Sequence, residues 1–285
     1  MKKFLAFTMA AAMTLSLAAC GGGSGSGSNT SADGSGSAAF KLGGTGPLTG
    51  DASIYGLAAQ RGAQIAVDEI NAEGGAIQFE LKYEDDVNDP EKAVNAYNAL
   101  KEWGMQISLG SVTTQPCIAT SSYNFADSIF ALTPSASSPD VISGKDNVYQ
   151  MCFSDPNQGT ASAKYISEQK LGEKVFIIWK SDDNYSTGIK DKFVAEAETL
   201  GLNVVGNATF TADSKNDFTV QLTQAKQAGA DLLFLPIYYD AASLILTQAN
   251  AMGYAPKFFG VDGMDGILTQ ANFDTSLAEG VMLLT

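Results

Sequence analysis

The stretch Leu109-Gly110-Ser111-Val112-Thr113-Thr114-Gln115-Pro116 decides how we interpret the fold of this chain. It joins an apolar run typical of a strand to a segment typical of a helix, and Pro116 suits the first turn of that helix. The first N–H groups of a helix have no internal partner, so a strand that ends there offers a site for an anion. The stretch contains three hydroxyl side chains and no charge. An ordinary connecting loop and a wall that binds the carboxylate of a small ligand are both compatible with it.

Predicted strands and helices alternate on both sides of this stretch. Apolar positions at helical spacing predict a helix over residues 55–73, and the alternation of Ile77, Phe79, Leu81 and Tyr83 predicts a strand after it. The resulting β-α-β-α-β-α-β series runs from residue 40 to residue 132. This pattern predicts a parallel sheet with helices on both faces.

A second series of the same kind follows an irregular segment over residues 133–156. It closes with a short helix near residues 264–271 and a strand at 280–284. We therefore predict an α/β fold with two doubly wound parallel-sheet lobes, at residues 40–153 and 154–285. The length of 285 residues fits two such lobes. Because the chain stops on an apolar strand without a polar tail, we expect a C-terminal truncation that leaves both lobes incomplete.

The composition excludes several functional classes. The chain has 17 basic and 31 acidic residues, a net charge of −14 and no histidine. A nucleic-acid partner requires a basic face, so we expect none. The absence of histidine removes the commonest general base and metal ligand. The run from Gly44 to Gly50 has the wrong glycine spacing for a dinucleotide loop, and Pro47 within it lacks an N–H. We expect no enzyme activity, no cofactor and no metal.

The N-terminus is typical of an exported protein. Met1-Lys2-Lys3, an apolar run and the ending Leu17-Ala18-Ala19-Cys20 predict a secretory signal over residues 1–20. The ending resembles a bacterial lipobox, which implies that Cys20 is lipidated. Residues 21–39 are rich in Gly and Ser and predict a flexible tether. We expect an extracytoplasmic protein that a lipid anchors to the bacterial cell membrane, at the cell surface or in the periplasm.

Short motifs then follow one another in a fixed order. They are Pro47-Leu48-Thr49-Gly50, Tyr55-Gly56, Asp68-Glu69-Ile70-Asn71-Ala72-Glu73-Gly74-Gly75, Tyr83-Glu84-Asp85-Asp86, Gly110-Ser111, Thr114-Gln115-Pro116, Thr133-Pro134-Ser135-Ala136-Ser137-Ser138-Pro139, Asp155 with Gln158-Gly159, and Tyr185 with Gly188. Together they resemble the solute-binding proteins of branched-chain amino-acid ABC transporters. The resemblance implies a periplasmic-binding-protein type I fold, in which two lobes close on an amino acid. It also implies a monomer that delivers the amino acid to a permease.

The resemblance implies ligand contacts from both lobes. Tyr55 would pack on the ligand side chain, Ser111 would bind the α-carboxylate, and Asp262 would pair with the α-ammonium group. Leu109 and Gly110 would line the wall of the first lobe, Ala136 would contribute its backbone, and Ser137 stands where the family often has a threonine that binds the ligand. Tyr185 and one of Tyr238 and Tyr239 would close over the ligand from the second lobe. Hydroxyls and helix N–H groups suit a carboxylate, and a single carboxylate suits an ammonium group.

Two points stay open in the sequence. Cys117 and Cys152 form an even pair, which in an exported protein favours a disulfide, and two separate thiols are the alternative. The same fold also serves sensors and proteins that bind amides, urea or aromatic acids. The segment Met151-Cys152-Phe153, which stands where the family often has arginine, leaves the side-chain specificity undetermined.

Overall fold

The strands of the protein form two five-stranded sheets in the computed structural model, which describes residues 39–285. The first lobe contains β1 (Phe40–Gly46), α1 (Ser53–Ala72), β2 (Phe79–Asp85), α2 (Pro90–Trp103), β3 (Ile107–Ser111), α3 (Thr114–Ala126), β4 (Phe130–Thr133) and β5 (Val148–Gln150). The second lobe contains α4 (Asp155–Glu168), β6 (Val175–Lys180), α5 (Asn184–Leu200), β7 (Val204–Phe210), α6 (Thr219–Gln227), β8 (Leu232–Leu235), α7 (Tyr239–Ala251), β9 (Lys257–Gly260) and β10 (Met282–Leu283).

The strand orders are β2-β1-β3-β4-β5 and β10-β9-β8-β6-β7, and every pair of neighbouring strands is parallel. This confirms the predicted α/β class with two parallel-sheet lobes. All four residues of β8 and the first four of β6 are buried. Strands that helices cover on both faces read as continuous apolar runs, which is why the sequence revealed them.

Side-chain capping fixes where two of the helices, α2 and α5, begin. Asp89 accepts a hydrogen bond from the N–H of Lys92 and starts α2, and Gly104, with φ of 96°, ends it. Asp183 starts α5 in the same way by accepting from the N–H of Tyr185 at 2.9 Å. The second cap positions Tyr185 at the carboxyl end of β6. Within residues 39–285, none of the helices has the length and apolarity to cross a lipid bilayer.

Two segments differ from the sequence prediction. Val148–Gln150, placed in the irregular segment, pairs with β4 as a short fifth strand. The helix predicted near residues 264–271 is instead a pair of 3₁₀ turns, Asp262–Met264 and Ile267–Thr269. Gly266 separates the two turns with φ of 92°, a left-handed conformation that interrupts a right-handed helix.

Helices α4 and α5 approach each other closely because small residues lie at their contact. A Cβ atom on Gly159 would lie 2.3 Å from the carbonyl oxygen of Ile189 and 2.7 Å from the backbone nitrogen of Phe193. Phe193 in turn stacks on Phe234 of β8, with ring centroids 4.0 Å apart. The helix contact therefore connects directly to the core of the second lobe.

We expect Gly159→Ala to lower the free energy of unfolding by about 1–3 kcal/mol, because the added methyl group would push α4 and α5 apart. Gly62→Ala in α1 is the matched control, since a Cβ there meets no atom within 4 Å. Alanine is the better helix former, so this control should gain about 0.5–1 kcal/mol. Urea denaturation of both variants measures the difference; equal stabilities would contradict the close helix contact.

Candidate ligand-binding site

A small pocket lies between the two lobes, where the carboxyl ends of both sheets face each other. It encloses about 250 Å³ of empty space, part of which is at its mouth. The first lobe contributes Tyr55, Thr113, Ser135 and Ser137, and the second contributes Tyr185, Tyr238, Asp262 and Gly263. In open α/β sheets the crevice outside the carboxyl ends of the strands is the usual ligand site.

Asp262 provides the only charged side chain of this described lining. It follows β9 on a 3₁₀ turn, and its Oδ1 accepts hydrogen bonds from the Tyr185 hydroxyl and, at 2.9 Å, from the Gly263 N–H. Burial raises the pKa of Asp262, while its hydrogen bond with Tyr185 acts in the opposite direction. Across residues 39–285 no lysine or arginine pairs with it. A half-buried carboxylate without a cation is a suitable partner for an ammonium group.

Hydroxyl side chains of the first lobe also line the pocket. Thr113 immediately precedes α3, and its Oγ1 is buried with no hydrogen-bond partner among the described residues. Ser137 is held by its backbone, because its N–H donates to Thr114 Oγ1 at 3.1 Å and its carbonyl accepts from the N–H of Asp155 at 3.0 Å. The start of α3 adds N–H groups without a helical partner. Together these donors suit a carboxylate.

Tyrosine rings form the remaining walls. The rings of Tyr185 and Tyr238 stack with centroids 4.8 Å apart, and Tyr55 packs against Tyr238 at 6.1 Å. The Tyr55 hydroxyl donates to the carbonyl oxygens of Asp262 at 3.1 Å and Asp265 at 2.6 Å. Burial is the main cause that raises the pKa of all three phenols, so they remain neutral donors. Tyr55 thus connects the first lobe to the turn that carries the acid.

Other contacts hold the lobes together around the pocket. The N–H of Ala52 donates to Asp240 Oδ2 at 3.0 Å, and Lys215 forms an ion pair with Asp51. These bonds join the loop before α1 to the second lobe. The structure is therefore a closed arrangement, in which a ligand would be enclosed between the lobes.

A second carboxylate, Asp155, lies behind the pocket wall. Its side chain is 0% exposed, and both of its oxygens lack a hydrogen-bond partner of normal geometry within the described residues. Burial raises its pKa to about 8, the charge of Asp262 adds to this, and the nearby Ser137 hydroxyl opposes it. The Nε2 of Gln158, one helical turn further along α4, is also buried and unpartnered. Neither residue was assigned a role from the sequence, although both lie in one of the quoted motifs.

The structure does not bring all predicted site residues to the pocket. The Ser111 hydroxyl lies 2.6 Å from Thr45 Oγ1 and 2.8 Å from Thr120 Oγ1, so it joins β1, β3 and α3 within the first lobe. Thr113, two residues further on, occupies the position at the pocket that Ser111 was expected to take. Leu109 lines a separate apolar groove with Tyr83.

Gly110 and Ala136 have structural partners instead, and so does Tyr239, the alternative to Tyr238 in the prediction. Gly110, with φ of 66°, packs against the backbone of Thr133. The N–H of Ala136 donates to Thr133 Oγ1 at 3.1 Å, and its carbonyl accepts from Gln150 at 2.6 Å. Tyr239 is buried and packs on the Tyr55 ring with centroids 5.8 Å apart, outside the pocket lining. Tyr55, Ser137, Tyr185, Tyr238 and Asp262 are therefore the predicted residues that meet at the pocket.

The two cysteines are free thiols, so the expected disulfide between Cys117 and Cys152 is not formed in this structure. Cys152 Sγ is directed at the carbonyl oxygens of Ser135, at 3.2 Å, and Ala136, at 3.4 Å. Cys117 packs with Ala136 in a small apolar cluster of the first lobe. Burial raises the pKa of each thiol to about 11, which disfavours the reactive thiolate at neutral pH.

Some sequence predictions lie outside the described residues. The signal over residues 1–20, the lipidation of Cys20 and nearly all of the tether over 21–39 belong to this group. Within residues 39–285, no set of three or more Cys, Asp or Glu side chains is arranged to hold a metal ion.

Two α/β lobes that enclose a small polar pocket define a bilobal binding protein. The chain belongs to the periplasmic binding protein family, whose model matches residues 39–283. It is 30% identical over 230 residues to the Leu/Ile/Val-binding protein BraC3 of Rhizobium johnstonii, with 80% of this chain and 62% of the relative covered. It is also 30% identical to the leucine-, isoleucine-, valine-, threonine- and alanine-binding protein of Pseudomonas aeruginosa, with 79% and 60% covered. The chain thus spans about 60% of the length of these curated relatives.

Solved structures agree with this family assignment. The substrate-binding protein LivJ of Streptococcus pneumoniae, in complex with isoleucine, matches with a TM-score of 0.75 and 29% identity, over 82% of this chain and 68% of LivJ. The leucine-binding protein LivK of Thermotoga maritima matches with a TM-score of 0.73 and 25% identity, over 84% and 66%. LivK is a leucine-binding protein, and LivJ is the substrate-binding protein of a branched-chain amino acid transporter.

We expect Asp155→Asn to change how stability depends on pH. The pKa of Asp155 is about 8 when folded, above the value of about 4 in an unfolded chain. The folded state therefore retains a proton that the unfolded state releases, and stability falls as pH rises from about 4 to about 8. The variant should lose this part of the slope. Chemical denaturation at a series of pH values tests it, with Asp213→Asn at an exposed position as the control; parallel curves for both variants and the parent would contradict the assignment.

Proposed function

We propose that this protein is the extracytoplasmic solute-binding component of an ABC importer and binds a small amino acid of the branched-chain type between its lobes. The observation that carries this proposal is the composition of the interlobe pocket. Its lining combines the carboxylate of Asp262 from the second lobe, the hydroxyls of Thr113 and Ser137 from the first lobe, and the rings of Tyr55, Tyr185 and Tyr238.

Each part of a zwitterionic amino acid has a matching group in the pocket. The α-ammonium group would pair with Asp262, which has no cation from the chain among the described residues. The α-carboxylate would accept hydrogen bonds from Thr113 and Ser137 and from the start of α3. The rings of Tyr55, Tyr185 and Tyr238 would cover an apolar side chain. The names of the Rhizobium and Pseudomonas relatives support a branched-chain or small aliphatic ligand for the family.

Binding would occur by closure of the two lobes around the ligand. Tyr55 supports this mechanism, because its hydroxyl reaches across to the turn that carries Asp262. We further propose that a lipid on Cys20 anchors the protein, that residues 21–39 tether it, and that it delivers its ligand as a monomer to the permease. The sequence of the N-terminus and the transporter type of the relatives support these steps.

We expect Asp262→Asn to weaken the binding of L-leucine or L-isoleucine by about 30-fold or more, because the ammonium group loses its charged partner. Thr113→Val, which preserves the shape of the side chain, should weaken binding about tenfold by removing a donor to the carboxylate. Isothermal titration calorimetry of the purified protein measures both effects.

Ser111→Ala is the control that separates the pocket from the first-lobe core. It should leave the affinity within about twofold and lower the free energy of unfolding by about 1–3 kcal/mol, because Thr45 and Thr120 lose a buried partner. A large loss of affinity in Ser111→Ala with none in Thr113→Val would reverse the assignment of the carboxylate donor. The proposed ligand class would be refuted if the protein binds urea, an amide or an aromatic acid and binds no amino acid.

A further inference from the structure

A second chamber lies in the same cleft, towards the β2 and β7 edges of the two sheets. It contains about 430 Å³ of empty space and is larger than the pocket at Asp262. Both lobes line it. The first lobe contributes Asp51 and Asn88, and the second contributes Lys180, Asp183, Ser186, Phe210, Lys215, Ile237, Tyr238, Asp240 and Ala241.

The charges of this second chamber do not cancel. Its lining holds three aspartates and two lysines. Lys215 pairs with Asp51 across the cleft. Lys180 Nζ lies 3.0 Å from Oδ1 of Asp182, which is outside the lining, and 4.0 Å from Asp183 Oδ2. Asp240 accepts hydrogen bonds from the Ala52 N–H and from Gln270 Nε2, at 3.0 and 3.4 Å, but in the described part of the chain no lysine or arginine pairs with it. One carboxylate of the chamber is therefore uncompensated.

Tyr238 is the wall that the two chambers share. Asp262 lines the chamber described above, and Asp240 lines the second chamber. The Tyr238 hydroxyl has no hydrogen bond to any residue within 39–285, and its ring packs against those of Tyr185 and Tyr55. A flexible chain of methylene groups can pass beside such a ring without breaking a hydrogen bond. On the far side of this shared wall, the lining of the second chamber includes the apolar side chains of Phe210, Ile237 and Ala241.

We propose that the second chamber receives the distal end of an extended amino acid and selects a cationic group there. The α-amino acid head would bind at Asp262 and Thr113, and the side chain would pass Tyr238 to place its terminal ammonium or guanidinium group near Asp240. This inference rests on the proposed function, since it takes the head group to be bound as described above. It extends the substrate class from short aliphatic amino acids to diamino acids such as lysine.

Calorimetry with three ligands tests the second chamber. L-Lysine has the cationic end, L-norleucine has a similar unbranched side chain without it, and Nε-acetyl-L-lysine retains the length but removes the charge. We expect lysine to bind at least about tenfold more tightly than norleucine or the acetylated form. Asp240→Asn, which preserves the acceptor for the Ala52 N–H, should lower the affinity for lysine about tenfold more than it lowers the affinity for L-leucine.

Asp213→Asn, at an exposed position of the same lobe, is the control and should leave every affinity unchanged. The inference is overturned if lysine binds no more tightly than norleucine or than its acetylated form. It is also overturned if Asp240→Asn lowers the affinities for lysine and leucine equally. If leucine binds and lysine does not, this inference fails and the proposed function stands. If neither binds, both fail.

Discussion

The contact between Tyr185, Gly263 and Asp262 is the interaction on which the rest of the cleft depends. The hydroxyl of Tyr185 donates to the carboxylate of Asp262 while it accepts, at 2.9 Å, from the N–H of Gly263. A side chain on Gly263 would meet that hydroxyl at 2.6 Å, so only glycine allows the turn to approach. The acid is thereby oriented towards the pocket before any ligand arrives. Since Tyr55 bonds to the same turn from the other lobe, orientation of the acid and closure of the lobes are linked.

The electrostatics of the closed cleft explain why a cationic group should favour closure. Burial raises the pKa of both Asp155 and Asp262, and the charge of Asp262 raises the pKa of Asp155 further. Closing the lobes over these acids without a counter-charge therefore costs free energy. A ligand changes a conformational equilibrium only through its different affinity for the two states. An ammonium group interacts far more strongly with a desolvated carboxylate than with a hydrated one, which supplies that difference.

The fold could be predicted because its determinants are local and periodic. Strands such as Leu232–Leu235, which are buried on both faces, appear as unbroken apolar runs, and glycines such as Gly104 mark helix ends. The fifth strand, Val148–Gln150, was missed because three residues carry no periodic signal. The site was predicted in part. The family resemblance implied contacts by Tyr55, Ser137, Tyr185 and Asp262, and the structure brings these residues to one pocket because the carboxyl ends of parallel strands converge.

Which hydroxyl of the β3–α3 stretch faces the pocket depends on the register between strands, and a short stretch of sequence does not determine that register. The pairing of β1 with β3 shifts between Gly43 and Thr45, and Gly110 turns the chain with a positive φ. Ser111 consequently lies opposite Thr45, inside the lobe, and Thr113 becomes the residue at the pocket. Both residues carry a hydroxyl in one short stretch, so chemistry alone could not separate them. The hydroxyl that remains unpartnered in the closed protein identifies the donor that is available to a ligand, because a buried donor without a partner is costly until one binds.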